Sequence, residues 1–298
     1  MGLRLLPEEG VILPEESLAA HTTWRIGGEA RWFCRVKTDE ALARLLEEAA
    51  ASGDPVALLG MGSNILVADD GFPGYVVRLD GDFLTVAIES PIVTAGGGAV
   101  LGGVCAAAAR AGLSGLEPIS GIPSSIGGAV RINAGAYGGE IFDVLERVRL
   151  VSRAGARREA AAGDIAHGYR WTALVETGEI VTRATLRLTP ASREAIEERT
   201  RSVTVKRRGA LPGEPNAGSV FKNPPGDYAG RLIEACGLKG VREGGAEIST
   251  RHANVIVNSG GATARDVFAL MRRMRDTVRE KFGITLVPEV EMLGIKWE

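Results

Sequence analysis

Apolar residues recur along this chain in two periods. Between Thr38 and Gly53, Leu42, Leu45, Leu46 and Ala49 fall at i, i+3, i+4 and i+7, the stripe of a helix lying on a core. Thr38-Asp39 opens it, Gly53 offers the left-handed stop and Pro55 follows. A second stripe, Val267, Leu270, Met271, Met274 and Val278, predicts a helix over Ala264 to Phe282, capped by Thr263 and ended by Gly283. It reads as core, not as a cofactor-lining face. Ser192 can cap a helix through Glu194–Val205, with acids early and Lys206, Arg207 and Arg208 at its end, matching the helix dipole. Shorter helices are predicted over 99–111 and Tyr228–Cys236. Arg31–Val36, Val56–Leu59, Tyr75–Leu79, Phe83–Ile88, Ile92–Ala95, Val144–Ser152, Ile180–Thr189 and Ile284–Val287 read as strands. The class is α+β. Changes of pattern near Tyr75 and at Pro190-Ala-Ser192 divide the chain into segments 1–73, 74–190 and 191–298, the last few residues packing back on the first segment.

Composition narrows the class of partner more than the class of reaction. Apolar and charged contents of 45% and 24% are those of an ordinary globular protein. A net charge of −2 gives no argument for nucleic acid or an anionic membrane. Any bound anion must be captured by local donors. The first twenty residues carry Glu8, Glu9, Glu15 and Glu16 and no sustained apolar stretch, so no secretory signal is read. Cys34, Cys105 and Cys236 are odd in number and form no Cys-x-x-Cys, which fits a reduced, cytoplasmic compartment. His21, His167 and His252 lie far apart without zinc-ligand spacing, and no metal is expected. Six lysines leave 29 arginines among the 35 basic residues, a bias that says nothing about function.

Glycine-rich segments carry the first functional signal. Gly121-Ile-Pro-Ser-Ser-Ile-Gly-Gly-Ala-Val-Arg-Ile-Asn-Ala-Gly-Ala-Tyr-Gly138 is apolar between its glycines and reads as a tight loop that something large approaches closely. Backbone N–H groups freed of Cβ atoms can face a phosphate or the polar edge of a flat ring. Upstream, Gly60-Met-Gly-Ser-Asn64 sits between two short strands. Ile65 stands where a dinucleotide fingerprint needs its third glycine, so this is not a Rossmann turn. Gly96-Gly-Gly98 also fails that spacing and reads as a strand-to-helix corner.

Three polar residues occupy awkward places. Ser219, in Asn216-Ala-Gly-Ser-Val-Phe-Lys-Asn-Pro224, is either a turn serine or a held donor; no Gly-x-Ser-x-Gly elbow surrounds it. Arg170, in His167-Gly-Tyr-Arg-Trp-Thr172, is either a stacked surface residue or a cation facing a carboxylate ligand. Glu289 falls in an apolar strand, where a carboxylate needs a partner and often has a task; Glu291 shares its face, and the residues alone do not choose between them. A serine donor, a cation and a carboxylate suit chemistry that builds negative charge beside a carboxylate and then protonates carbon. The residues by themselves reach an anion- or flavin-binding α+β protein.

Together these motifs resemble the UDP-N-acetylenolpyruvoylglucosamine reductase family over nearly the whole chain: His21-Thr-Thr-Trp-Arg-Ile-Gly-Gly28, Leu59–Val67, Gly71-Phe-Pro-Gly74, Gly121–Gly138, Gly168-Tyr-Arg170, Ala217–Pro224 and Pro288-Glu-Val290. The short spacing from Tyr169 to Ser219 matches the form of the family that lacks an extra tyrosine-bearing loop. The resemblance implies a FAD-binding fold of the p-cresol methylhydroxylase or vanillyl-alcohol oxidase type, with a C-terminal α+β substrate domain. It implies non-covalent FAD, NADPH as reductant and a UDP-sugar substrate. The implied reaction, in peptidoglycan precursor synthesis, reduces an enolpyruvyl ether to a lactyl ether. By the same resemblance, FAD contacts come from Gly60, Met61, Gly62, Ser63, Asn64 and Ile65, and from Pro123, Ser125, Ile126, Gly127 and Gly128, the pyrophosphate lying on backbone N–H groups. Asn133, Ala134 and Gly135 would lie against the isoalloxazine. Arg170 and Glu289 would stabilise an enediolate, Ser219 would protonate the α carbon, and Tyr169, Lys222 and Asn223 would contact the substrate. Two positions depart from the family's pattern: Ser124 replaces a glycine, and Thr172 stands where serine is commoner. The alternative is a sugar or alcohol oxidase of the same fold. Relatives of that kind tether FAD through a histidine near the first phosphate loop, and Val56 to Asp70 contains none. A nucleotide-binding module without catalysis is a third reading. No oligomeric state follows from the sequence, and a monomer is compatible with it.

Overall fold

The computed structural model describes residues 5–297. Two compact units emerge, and they are not sequential. The first comprises residues up to Pro14, Trp32–Met61 and Pro73–Lys206; the second comprises Glu15–Arg31, Gly62–Phe72 and the chain from Arg207 on.

In the first unit the helix Asp39–Ser52 forms as its stripe requires. The Thr38 side chain accepts from the Ala41 N–H (3.2 Å), and Gly53 takes φ 74° at the C-cap. Its buried face packs with Cys34, Val36, Tyr75, Val77 and Phe83. A five-stranded antiparallel sheet runs in the order Arg157–Ala161, Leu145–Val151, Ile180–Arg187, Ile92–Gly96, Val86–Glu89. A larger core gathers on it, including Val104 and Ala108 of the helix Leu101–Arg110 and Ile126 and Val130 of the helix Ile126–Arg131. Two expectations change here. Phe83 lies in the 3-10 turn Gly81–Leu84, because the Asp80 side chain accepts from the Gly81 N–H (2.9 Å) and Gly81 takes φ 54°; the strand starts only at Val86. The Gly121–Gly138 segment is not all loop: Ser125 caps a six-residue helix, Ile126–Arg131, its Oγ accepting from the Gly128 N–H (3.2 Å).

In the second unit four antiparallel strands lie in the order Asn216–Ser219, Val255–Asn258, Ala246–Ile248, Arg242–Glu243. The helices Ala229–Ala235 and Ala264–Phe282 complete its core with Trp24, Leu66 and Phe221. Trp24 is fully buried, and its indole N–H donates to the Ile256 carbonyl (2.7 Å). Asp69 accepts from the first N–H groups of the long helix, Ala264 (2.7 Å) and Arg265 (3.0 Å). The strand Glu291–Leu293 pairs in parallel with Ile65–Val67. The expected strand Ile284–Val287 joins no ladder. Pro288 has no N–H to donate and makes only an isolated bridge with Phe221; regular pairing begins at Glu291.

The helix Arg193–Ala210 is longer than the sequence pattern predicts and buries only Ile196. Arg251 donates to the carbonyls of Arg208 (2.9 Å) and Gly209 (3.2 Å) at its end.

Candidate functional site

In the first unit the two glycine loops meet. A Cβ on Gly60 would stand 2.7 Å from Ser125 Oγ, and the Arg78 guanidinium holds the Gly60 carbonyl (2.9 Å). Met61 is 38% exposed. The second loop differs in one respect from the bare N–H cradle expected of it. The N–H groups of Ile126 and Gly127 donate to the carbonyls of Ala99 and Gly97 (2.8 Å each), and that of Gly128 to Ser125 Oγ. The short helix is sutured to the Gly96–Gly98 corner, and its donors serve that seam. Gly127 is needed for this close approach, since a Cβ there would lie 2.9 Å from the Val181 carbonyl oxygen and 3.0 Å from that of Gly97. The Ser125 hydroxyl faces Gly60 of the first loop. Ser124 is not among the positive-φ residues, so the serine in place of glycine carries no backbone strain; its hydroxyl donates to the Ser125 carbonyl (2.9 Å).

Asn133, Ala134 and Gly135 follow the helix Ile126–Arg131 directly. Asn133 is fully buried in a left-handed conformation (φ 47°), and Ala134 is nearly so. The Asn133 amide donates to Glu140 Oε2 (2.6 Å) and to the Gly168 carbonyl (3.1 Å). Gly168 belongs to the hairpin of His167–Gly168 and Trp171–Thr172, whose two-residue turn is Tyr169–Arg170. Arg170 has φ 53°, donates to the Gly135 carbonyl and lies over the Tyr169 ring at 5.1 Å. Thr172 is buried and donates to the Arg131 carbonyl (2.6 Å), so the hydroxyl at this position ties the hairpin to the helix end. The structure thus brings together Asn133, Gly135, Tyr169 and Arg170. It adds Glu140, which sequence reasoning did not single out.

In the second unit Ser219 ends a strand that is bulged between Asn216 and Ser219. Gly218 takes φ 73° and its N–H is held by Asn216 Oδ1 (2.8 Å). A glycine bulge of this kind re-aims the residue after it. Thr23 fixes the bulge from outside, donating to the Asn216 carbonyl (2.7 Å). The Glu289 N–H donates to the Val220 carbonyl (2.9 Å) and the Lys222 N–H to that of Val287 (2.9 Å), which sets Ser219 and Glu289 on adjoining segments. Asn64 joins them: its amide donates to the Glu289 carbonyl (3.1 Å), and its own carbonyl accepts from the Glu291 N–H (3.0 Å). Gly62 precedes it with φ 64°, its carbonyl taken by the Thr23 N–H (3.0 Å), and Ile65 after it is buried in the parallel pair. Asn223 Oδ1 accepts from the Ala229 N–H (3.0 Å) at the start of the helix Ala229–Ala235, so part of this side chain's work is to hold that helix. A cavity of about 430 Å³ lined by Thr22, Thr23, Arg25, Gly213, Glu214, Pro215 and Asn216 opens beside the bulge. A smaller one in the first unit, about 250 Å³ and lined by Asp39, Asp82, Arg149 and Arg183 among others, contains none of these residues.

Burial pushes the thiols of Cys34 and Cys105 up to about 12, which leaves both unreactive. Among the described residues no group of three or more His, Cys, Asp or Glu side chains could hold a metal ion, and no helix is long and apolar enough to cross a membrane.

Residues 30–161 match a FAD binding domain, and residues 211–293 match the UDP-N-acetylenolpyruvoylglucosamine reductase C-terminal domain. A Symbiobacterium thermophilum protein named UDP-N-acetylenolpyruvoylglucosamine reductase 2 is 44% identical over 97% of this chain and 94% of its own. A Moorella thermoacetica protein named UDP-N-acetylenolpyruvoylglucosamine reductase is 44% identical over 95% of this chain and 93% of its own. The chain belongs to the UDP-N-acetylenolpyruvoylglucosamine reductase family. The crystal structure of a UDP-N-acetylenolpyruvylglucosamine reductase from Thermus caldophilus superposes with a TM-score of 0.83 at 42% identity, covering 95% of this chain and 98% of that one. Membership in the reductase family carries with it the FAD-binding fold expected from the sequence and the character of a FAD-containing oxidoreductase.

Proposed function

We infer that this chain is the NADPH-dependent, FAD-containing enzyme that reduces the enolpyruvyl ether of UDP-N-acetylglucosamine to the lactyl ether of UDP-N-acetylmuramate, a CH–CH reduction in peptidoglycan precursor synthesis. FAD, when bound, supplies the hydride carrier between NADPH and the substrate. The meeting of the two loops at Gly60 and Ser125 fits such a group, because it sets a small-residue loop against a serine hydroxyl at the start of a helix. We assign FAD contact to Gly60–Ile65, to Pro123 and Ser125–Gly128, and to Asn133–Gly135. In this assignment the Ser125 hydroxyl replaces the Gly127 N–H as the donor of the second loop.

The observation that carries the reading is the bond between the Glu289 N–H and the Val220 carbonyl. It places the carboxylate segment against the strand end bearing Ser219. Reduction of the enolpyruvyl group puts negative charge on the α carbon and its carboxylate. Arg170 can grip that carboxylate with a planar fork. Glu289 can donate to the enediolate when its carboxyl carries a proton, and Ser219 holds the proton that the α carbon needs. Tyr169, Lys222 and Asn223 are the substrate contacts. A role in the cytoplasm, in cell shape and in division follows from work on a wall precursor. The oxidase alternative has no histidine in Val56 to Asp70 to support it.

The purified protein is expected to be yellow and to release FAD on acid treatment with no flavin left on the polypeptide. Beyond the one equivalent that reduces its FAD, it is expected to turn over NADPH when the enolpyruvyl UDP-sugar is added, with the lactyl ether seen by mass spectrometry. Flavin that stays attached after denaturation, with oxygen consumed on a sugar, would establish the oxidase instead.

A further inference from the structure

The two hairpins around Asn133 carry a charge arrangement that the family motifs do not explain. The first joins Gly135–Ala136 to Gly139–Glu140 through Tyr137 and Gly138, both at positive φ (50° and 85°). A two-residue turn with both φ values positive has the twist that closes a tight hairpin. Its register sets Glu140 directly opposite Gly135. The second hairpin carries Arg170 at its turn, and Arg170 donates to the carbonyl of that same Gly135. Glu140 Oε1 therefore stands 3.9 Å from Arg170 Nη1, while Oε2 accepts from the buried Asn133 amide (2.6 Å). Asn133 also holds the second hairpin through Gly168. The Arg170 side chain is 17% exposed and that of Glu140 35%, so the pair is only partly screened.

We propose that Glu140 is a positioning residue that fixes the guanidinium plane of Arg170. The proposal rests on the reading of Arg170 as the group that grips the substrate carboxylate. Two anchors on different nitrogens of a rigid fork, the Gly135 carbonyl and the Glu140 carboxylate, define its rotation; one alone leaves it free to swing. The backbone there is held in a strained form, with Asn133, Tyr137 and Arg170 all non-glycine residues at positive φ. Such clustering costs free energy and persists where surrounding bonds over-determine it. The bonds that do so here converge on Glu140 and Asn133. Glu140 touches neither cofactor nor substrate in this scheme. It acts through Arg170.

The test is a double-mutant cycle on the FAD-loaded protein, read in two half-reactions by anaerobic stopped-flow. Glu140→Gln keeps size and an acceptor for Asn133 but removes the charge; Glu140→Ala removes both. Flavin reduction by NADPH and FAD content are expected to stay within twofold of the parent for Glu140→Gln. Reoxidation by the enolpyruvyl UDP-sugar is expected to slow about tenfold for Gln and about 10²-fold for Ala, the scale of a misplaced group near the chemistry. In an Arg170→Ala background, Glu140→Gln is expected to change reoxidation less than twofold. Full parental reoxidation in Glu140→Gln, or losses that multiply in the double variant, would overturn the proposal while leaving the assigned reaction intact. A parent whose reduced flavin is not reoxidised by the enolpyruvyl UDP-sugar would overturn the assigned reaction itself.

Discussion

The side-chain amide of Asn254 hydrogen-bonds both backbone groups of Phe221, donating to its carbonyl (2.8 Å) and accepting from its N–H (3.1 Å). Asn254 is 2% exposed, and its own carbonyl accepts from the Val220 N–H (2.9 Å). One buried side chain thus completes the ladder where the strand Asn216–Ser219 has already ended. It holds the stretch that continues from Ser219 to Lys222.

Asn254→Ala strands two buried backbone groups, each worth about 1–3 kcal/mol when left unsatisfied. A clear drop in the denaturation midpoint is expected, together with slower turnover of the enolpyruvyl substrate. Asn254→Asp keeps an acceptor for the Phe221 N–H but sets a buried carboxylate oxygen against the Phe221 carbonyl, and is expected to destabilise at least as much as Ala. A midpoint unchanged in Asn254→Ala would show that water or a shifted strand replaces the clamp.

The same corner makes stability depend on pH. The N–H of Asn254 donates to Nδ1 of His252 (3.2 Å). Burial, reinforced by the nearby Lys239 charge, holds the His252 pKa below the ordinary histidine value of 6.5. The unfolded chain therefore binds a proton more readily than the folded one, and stability rises with pH across that interval. The contribution is fully present above about pH 6.5, where the unfolded imidazole is also neutral, and is lost as pH falls through the lowered folded value. Urea midpoints measured from pH 7.5 to 5 are expected to fall for the parent and to fall less for His252→Gln. Parallel curves would remove His252 from the account.

Gly127 was legible as a position that needs glycine. Its missing Cβ admits the carbonyls of Val181 and Gly97. Gly127→Val is expected to cost about 1–3 kcal/mol or more through overpacking and to lose FAD in proportion to the lost stability. A Gly127→Val protein with parental melting temperature and full FAD content would mean that the helix Ile126–Arg131 can lift from the corner at no cost.

What could be read from the chain divides along the range of the interactions involved. Helices declared themselves through local stripes and caps, as at Thr38, Gly53, Thr263 and Gly283. The strands Val255–Asn258 and Ala246–Ile248 did not, because two short apolar runs carry no sign of their pairing. The extended run before Glu289 looked like a strand from its apolar pattern, yet Pro288 and the competing pair at Glu291 leave it a single bridge. Ser219, Arg170 and Glu289 stood out as polar residues in apolar or glycine-rich settings. Glu140 and Asn254 did not: one acts across a hairpin and the other through a contact 33 residues away. Periodicity is silent about both.

Ser219 bears most directly on the account. Prereduced parent enzyme and Ser219→Ala would be mixed anaerobically with the enolpyruvyl UDP-sugar, in H₂O and D₂O, with flavin absorbance and lactyl ether followed together. Reduction by NADPH needs no proton from this residue and is expected to be nearly unchanged. The deletion of one oxygen from a partly buried strand end is expected to leave folding and FAD content normal. Reoxidation with product formation is expected to slow by roughly 10² to 10⁴, the usual worth of a positioned acid. Ser219→Ala reoxidising and forming the lactyl ether at the parental rate would make Ser219 a turn residue and contradict the mechanism.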